Sequence, residues 1–212
     1  MHIKSYNISV FMNYPIDGKY KPLFHTAVFT IIRCKFNFRC AEEESDSSEI
    51  RLNKIFRMIR ECKFGIHDLS MVELDKKTNL PRFNMPLELG IFLSAKYFGK
   101  NEQARKNCLI FEKQPYSYEK YISDIKGQDI SSHNNNKKIL IGKIRDWLDT
   151  NSKNIYLPGR SALWNEYKQF RKWLPRKCSS LNLKISELTF NNYAQLVYEW
   201  MEIKNPNDII LT

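Results

Sequence analysis

The sequence predicts an α/β fold in which a parallel β-sheet is flanked by helices and followed by a small helical subdomain. Three observations lead there. Strand-like apolar runs alternate with segments that are apolar at helical spacing, in the order β-α-β-α-β-α-β and then a helix. That alternation implies a parallel sheet with right-handed crossovers. The chain has 212 residues, 42% hydrophobic and 13% aromatic, enough to bury a core and too apolar for disorder. The composition also changes near Asn151, which divides the chain into an α/β domain over 1–150 and a helical subdomain over 151–212, joined by an Asn-, Ser-, Pro- and Gly-containing linker over 151–160.

The elements follow in order. Ile8-Ser9-Val10-Phe11-Met12 reads as the first strand, broken by the turn-rich Asn13-Tyr14-Pro15-Ile16-Asp17-Gly18. From about Pro22 to Cys34, Leu23, Phe24, Ala27, Val28, Ile31 and Ile32 recur at helical spacing. Phe36 to Ala41 is a second strand. The acidic, serine-rich 42–48 loop leads into a helix over 49–62 with Ile50, Ile55, Met58 and Ile59 on one face. Phe64 to Leu69 is the third strand, and 71–84 is a polar loop. A helix over 85–98 is closed by Gly99, with Asn84 as its N-cap and Pro86 in its first turn. Asn107 to Phe111 is the fourth strand. An aromatic loop over 116–121 and a polar segment over 123–133 come next, then a turn at Asn134-Asn135-Asn136 and an amphipathic helix over 139–148. Trp164, Tyr167, Phe170 and Trp173, and then Tyr193, Leu196, Val197 and Trp200, mark two tail helices.

Several function classes drop out. No apolar run reaches membrane-spanning length, and Met1-His2-Ile3-Lys4 lacks the features of a signal peptide, so a cytoplasmic protein is expected. The five cysteines are widely spaced without a CxxC, which reads as buried free thiols and argues against a metal site. Neither a GxGxxG after the first strand nor a P-loop is present. The formal charge of +11 suits an anionic partner, a phosphate-bearing small molecule or nucleic acid, and equally a basic solvated surface. The basic residues form no long block, so nucleic acid is the less favoured partner.

In an open parallel sheet, ligands sit beyond the carboxyl ends of the strands, at the switch in strand order. The ends of the first and third strands, Asn13 to Asp17 and His67 to Ser70, are therefore the places to look, with Glu88 at the start of the neighbouring helix. A carboxylate there can stabilise or attack the ribosyl cation formed when an N-glycosidic bond breaks, and the helix dipole is expected to keep it ionised. Asp68 and Asn13 would orient ribose hydroxyls. Arg39, Arg82 and the helix N-terminus would bind phosphate. Phe11, Asn13 and Asp17 would wall the pocket on one side, Asp68 and Ser70 would form its floor, and Tyr14 and Asn84 are further substrate-binding candidates. Each has a structural reading too: a dipole-complementing acid for Glu88, a loop cap for Asp68, an N-cap for Asn84, a turn for Asp17. His67 reads as a core histidine, and His133, in a polar loop, is a weaker candidate still.

These residues carry a resemblance. Glu88-Leu89-Gly90, with Ala95 and Gly99 behind it, resembles the E-L-G-x-x-x-x-A-x-x-x-G helix of nucleoside 2-deoxyribosyltransferase-like proteins, and Asn13-Tyr14-Pro15 resembles their A-G-P turn. TIR domains share this flavodoxin-like layout. The stretches 64–70, 80–90 and 122–130 are similar to a pattern of TIR-like or deoxyribosyltransferase-like bacterial proteins, with the resemblance spanning about Val10 to Leu148. It implies a flavodoxin-like (TIR-like) sheet, Glu88 as the catalytic acid and Asp68 as a ribose-side residue. The activity expected is cleavage of an N-glycosidic bond in a nucleotide, with NAD or a nucleoside phosphate as substrate and no cofactor or metal. A role in bacterial anti-phage defence, with a second copy or a defence-system protein as partner, goes with it. The alternative is a non-catalytic nucleotide-sensing module that signals to a partner protein.

Overall fold

The computed structural model describes residues 6–71, 82–152 and 156–204. Five strands, β1 (Ser9–Asn13), β2 (Asn37–Arg39), β3 (Phe64–Asp68), β4 (Asn107–Glu112) and β5 (Ser131–Ser132), form one parallel sheet in the order β2-β1-β3-β4-β5. This is the flavodoxin-like doubly wound order, whose switch point lies between β1 and β3. The crossovers carry α1 (Lys21–Arg33), α2 (Arg51–Glu61) and α3 (Asn84–Phe98). After β5 come α4 (Lys137–Asn151), α5 (Arg160–Ser180) and α6 (Phe190–Lys204). Every strand and helix expected from the sequence is present. The addition is β5, two polar residues inside the stretch read as loop, which pairs only with Phe111 and Glu112. Two serines carry no apolar period, so only the ladder defines this strand.

Side-chain alternation along the strands divides the core. Val10, Met12, Phe38, Phe64, Ile66, Leu109 and Phe111 face α1 and α4, in one cluster with them. On the other face Phe11 packs with Ile55, Met58 and Ile59 of α2 and Phe92 of α3. Below α3, Leu69, Met85, Leu89 and Ile110 form a third group. From Leu23 to Arg33, α1 is buried at every position; a helix apolar all round must be covered all round. The sheet covers one side of α1. The other is closed by α5 and α6, whose Leu163, Tyr167, Phe170, Tyr193, Val197 and Trp200 join the same core. The Thr26 and Tyr167 hydroxyls hydrogen-bond at 2.9 Å, and Arg33 Nε pairs with Glu166 at 2.8 Å. The segment expected as a C-terminal subdomain thus packs directly on the first crossover helix. Its linker falls partly outside the described residues, as does most of the 71–84 loop.

Two helix ends differ from expectation. The cap of α3 is Phe83, without a side-chain hydrogen bond, and Asn84 is the first helical residue rather than the N-cap. At the other end Gly99 is extended, with φ −73° and ψ 157°, so no left-handed cap is formed there. Glycine is needed for closeness instead: a Cβ on it would lie 2.1 Å from the Ala95 carbonyl oxygen. Asn136, by contrast, caps α4 by accepting from the Lys138 and Ile139 amides, a typical use of asparagine before a helix.

Candidate functional site

At the carboxyl end of β1, where the strand order switches, a cleft of about 250 Å³ is lined by Met12, Asn13, Tyr14, Ile16, Ala41, Arg51, Arg82, Asn84, Met85 and Glu88. Glu88 enters it from the second turn of α3. The residue is 7% exposed, and no described side chain or main-chain amide hydrogen-bonds its carboxylate. Burial raises its pKa to about 7, with the Arg51 guanidinium pulling it part of the way back. The expectation that the helix dipole would keep Glu88 ionised is therefore corrected. Desolvation outweighs a dipole effect of about 0.3–1 kcal/mol that fades beyond the first turn.

Asn13 lines the same cleft from the end of β1. Its Nδ2 donates to the Met85 carbonyl at 2.8 Å and lies 3.2 Å from His67 Nδ1. Arg82 donates through Nη1 to the Ile16 carbonyl at 3.2 Å, joining the rim of α3 to the loop after β1. Asn84 is exposed at the mouth. Arg51, at the start of α2, was not expected from the sequence. No motif marks it, and only the approach of α2 to the end of β1 brings it in.

Other expected residues lie elsewhere. Phe11 is fully buried against α2 and α3, one strand layer below the cleft. Arg39 is buried, with its guanidinium divided among Glu43, Glu44 and Glu61, so it holds the 40–61 segment rather than a phosphate. Asp17 accepts from the Lys19 amide at 2.7 Å in its turn. It lines an adjoining depression of about 650 Å³ that shares Tyr14, Ile16 and Ala41 with the Glu88 cleft.

Asp68 and Ser70 are not the floor of the Glu88 cleft. In register with Asn13, it is His67 that faces α3, and Asp68, the next residue, points to the opposite face. There its carboxylate is enclosed: Oδ2 accepts from the Tyr20 hydroxyl and from His133 Nε2 at 3.1 Å, and Oδ1 accepts from the Ser70 amide at 2.9 Å. Burial alone would raise the Asp68 pKa. The hydrogen bonds from His133, Ser70 and Tyr20 outweigh it and hold the carboxyl below its ordinary value.

His133, Ser70 and Asp68 invite comparison with a nucleophilic triad, but the tautomer excludes it. The His133 Nδ1 accepts from the Asn135 amide at 3.0 Å, so the ring proton sits on Nε2. That same nitrogen faces both Asp68 and Ser70 Oγ, the latter at 2.8 Å. A triad histidine needs a lone pair toward the serine and a proton toward the acid, on different nitrogens. Here the three groups tie together the ends of β3 and β5, and the Tyr20 hydroxyl on Asp68 adds the start of α1. His133 had no sequence signal beyond a polar loop, because β5 that positions it is itself illegible.

Elsewhere, a groove of about 860 Å³ runs between α4 and the β4–β5 edge. Within it Asp146 pairs with Arg145 and Arg160. Cys34, Cys40 and Cys62 are buried, and burial pushes each thiol up to about 12, so none is a nucleophile at neutral pH. Among the described residues no helix is long and apolar enough to cross a membrane.

The fold and cleft together define a doubly wound α/β protein with an acid-bearing cleft at its switch point. No family model matches the chain, and no curated protein or solved structure is significantly similar to it.

Proposed function

We propose that this protein cleaves the N-glycosidic bond of a nucleoside monophosphate, with Glu88 handling the proton. The observation that carries the reading is a buried carboxyl with its pKa raised to about 7, to which none of the described residues hydrogen-bonds, opening on a cleft that also holds Arg51 and Arg82. A raised carboxyl pKa suits a general acid at neutral pH. The two guanidinium groups suit a phosphate. The resemblance of Glu88-Leu89-Gly90 to the deoxyribosyltransferase-like helix supports the same assignment.

The protonation state also chooses between substrates. Nicotinamide leaves NAD as a neutral molecule without gaining a proton, whereas a purine or pyrimidine must be protonated as it leaves. An acid poised near neutrality favours the second class. So does size: the cleft is smaller than the roughly 300–1,000 Å³ that encloses drug-sized ligands, which suits a ribose phosphate, with the adjoining depression beyond Tyr14 left for the base. In the reaction, protonated Glu88 gives its proton to the base as the C1′–N bond breaks. The resulting carboxylate faces the ribosyl cation and takes a proton from the attacking water, returning Glu88 to its acid form. The products are the free base and ribose 5-phosphate.

One observation favours the second reading, a nucleotide sensor without turnover. Among the described residues a single carboxylate lines the cleft, where glycosidases ordinarily use two. Purified protein is incubated with nucleoside 5′-monophosphates and with NAD, beside Glu88→Gln. Base release from a monophosphate that falls at least about 100-fold in the variant is expected for loss of a general acid. No release, or equal release by the variant, overturns the enzyme reading. Calorimetric binding without release then favours the sensor.

A further inference from the structure

We infer that His67 is a positioning residue that locks the Asn13 side-chain amide with its oxygen toward the cleft, so that the site reads a hydrogen-bond donor, a sugar hydroxyl, beside the phosphate. The second half rests on the cleft being the sugar-phosphate site proposed above. The first half follows from which groups can donate. The Met85 main-chain carbonyl can only accept, so the Asn13 atom 2.8 Å from it must be Nδ2. The second hydrogen on Nδ2 is directed to His67 Nδ1, at 3.2 Å, which must then be unprotonated. Both amide hydrogens are committed, and Oδ1 is left over.

Oδ1 accepts nothing from the described residues, yet it is not among the unpartnered side-chain atoms sealed from solvent. Asn13 is only 2% exposed, and the opening available to it is the cleft it lines. The other side of the His67 ring is fixed as well. Its Nε2 is buried without a hydrogen bond, and the ring meets Phe92 edge-on at 5.0 Å between centroids and 64° between planes. A proton on Nε2 is the arrangement an aromatic neighbour tolerates. Burial and the Lys106 charge keep the ring neutral, with its pKa lowered to about 3, so the acceptor at Nδ1 persists across the physiological range. The same amide bond to Met85 anchors the first turn of α3, one turn before Glu88. His67 thus sets the acceptor and steadies the helix that carries the acid.

The test has two readouts on the full chain. The first is the tautomer of His67 in ¹⁵N-labelled wild-type protein, read from long-range ring correlations. An unprotonated Nδ1 from pH 5 to 8 is expected, and a protonated Nδ1 overturns the positioning role. The second is calorimetry with ribose 5-phosphate and its single-deoxy analogues, using wild type, His67→Leu and His67→Gln. Wild type is expected to bind ribose 5-phosphate at least about tenfold more tightly than one analogue, the scale of one hydrogen bond to a buried acceptor. His67→Leu should flatten that preference to about twofold or less, and His67→Gln, which can still accept from Asn13, should restore it. A preference unchanged in His67→Leu overturns the inference. If wild type binds none of these compounds while the ring holds the expected tautomer, the proposed substrate class falls and the positioning of Asn13 stands.

Discussion

Replacing Glu88 by glutamine should stabilise the protein, and only above a certain pH. Glutamine mimics the protonated carboxyl in shape and lacks its charge. The ordinary value for the glutamate is 4.5, and burial in the cleft raises it to about 7. Between those values the folded protein holds a proton that the unfolded chain has released, so stability falls as pH rises through this window. The loss is complete above about pH 7. At 1.36 kcal/mol per unit, the shift corresponds to roughly 3 kcal/mol, an order-of-magnitude figure because the carboxylate borders a cleft that admits water. For a chain of this size that is a gain of about 6–12 °C in Tm. Thermal unfolding of wild type and Glu88→Gln is followed by circular dichroism at pH 5, 6, 7 and 8. Other groups titrate in both proteins, so the difference between the two curves isolates Glu88. The variant should match wild type near pH 5 and gain progressively to pH 8. A difference that does not change with pH, or a variant less stable than wild type at pH 8, would refute the reasoning: Glu88 would then be making contacts that hold it ionised. The gain would also mark Glu88 as a residue retained at a cost to stability, as functional groups commonly are.

Three further outcomes follow from the geometry. Asp68→Ala strands the Tyr20 hydroxyl and the Ser70 amide, which both donate to the carboxylate, in a buried site, so a loss of about 2–5 kcal/mol is expected, read as a fall in the urea midpoint; an unchanged midpoint would place Asp68 outside the structural network. Because the Asp68 pKa is lowered, its ionised form stabilises the fold above the ordinary carboxylate value, and that contribution fades as pH falls below it. Gly65→Ala would place a Cβ 2.6 Å from Phe92 Cε2 and 2.8 Å from His67 Nε2, costing about 1–3 kcal/mol by overpacking and shifting the His67 ring resonances. Finally, Cys34, Cys40 and Cys62, with thiols pushed up to about 12, should resist iodoacetamide at pH 8 in the native protein and react once it is unfolded; rapid native labelling, mapped by mass spectrometry, would contradict their burial.

The local pattern of the chain carried most of the fold. Apolar spacing from Leu23 to Ile32 gives a helix whatever surrounds it, and the run Phe64 to Leu69 gives a strand. Alternation of the two kinds of segment leaves few topologies besides a parallel sheet. The general rule for such sheets then placed a site at the end of β1 beside Glu88, and Asn13, Tyr14, Arg82 and Asn84 do line that cleft with it. What the sequence left open was which residues share a face. Asp68 and His67 are neighbours in the chain and occupy opposite faces of the sheet, a difference of one position in a period of two. Which of them faces α3 depends on the side taken by that helix, a long-range choice made by the packing of Phe92 on Phe11 and His67. Arg51 reaches the cleft through the same packing, while Arg39 is drawn away by three carboxylates from the loop and helix after it. The acid and its helix were written locally. The partners of that acid, and the pKa that desolvation gives it, exist only once distant segments close around it.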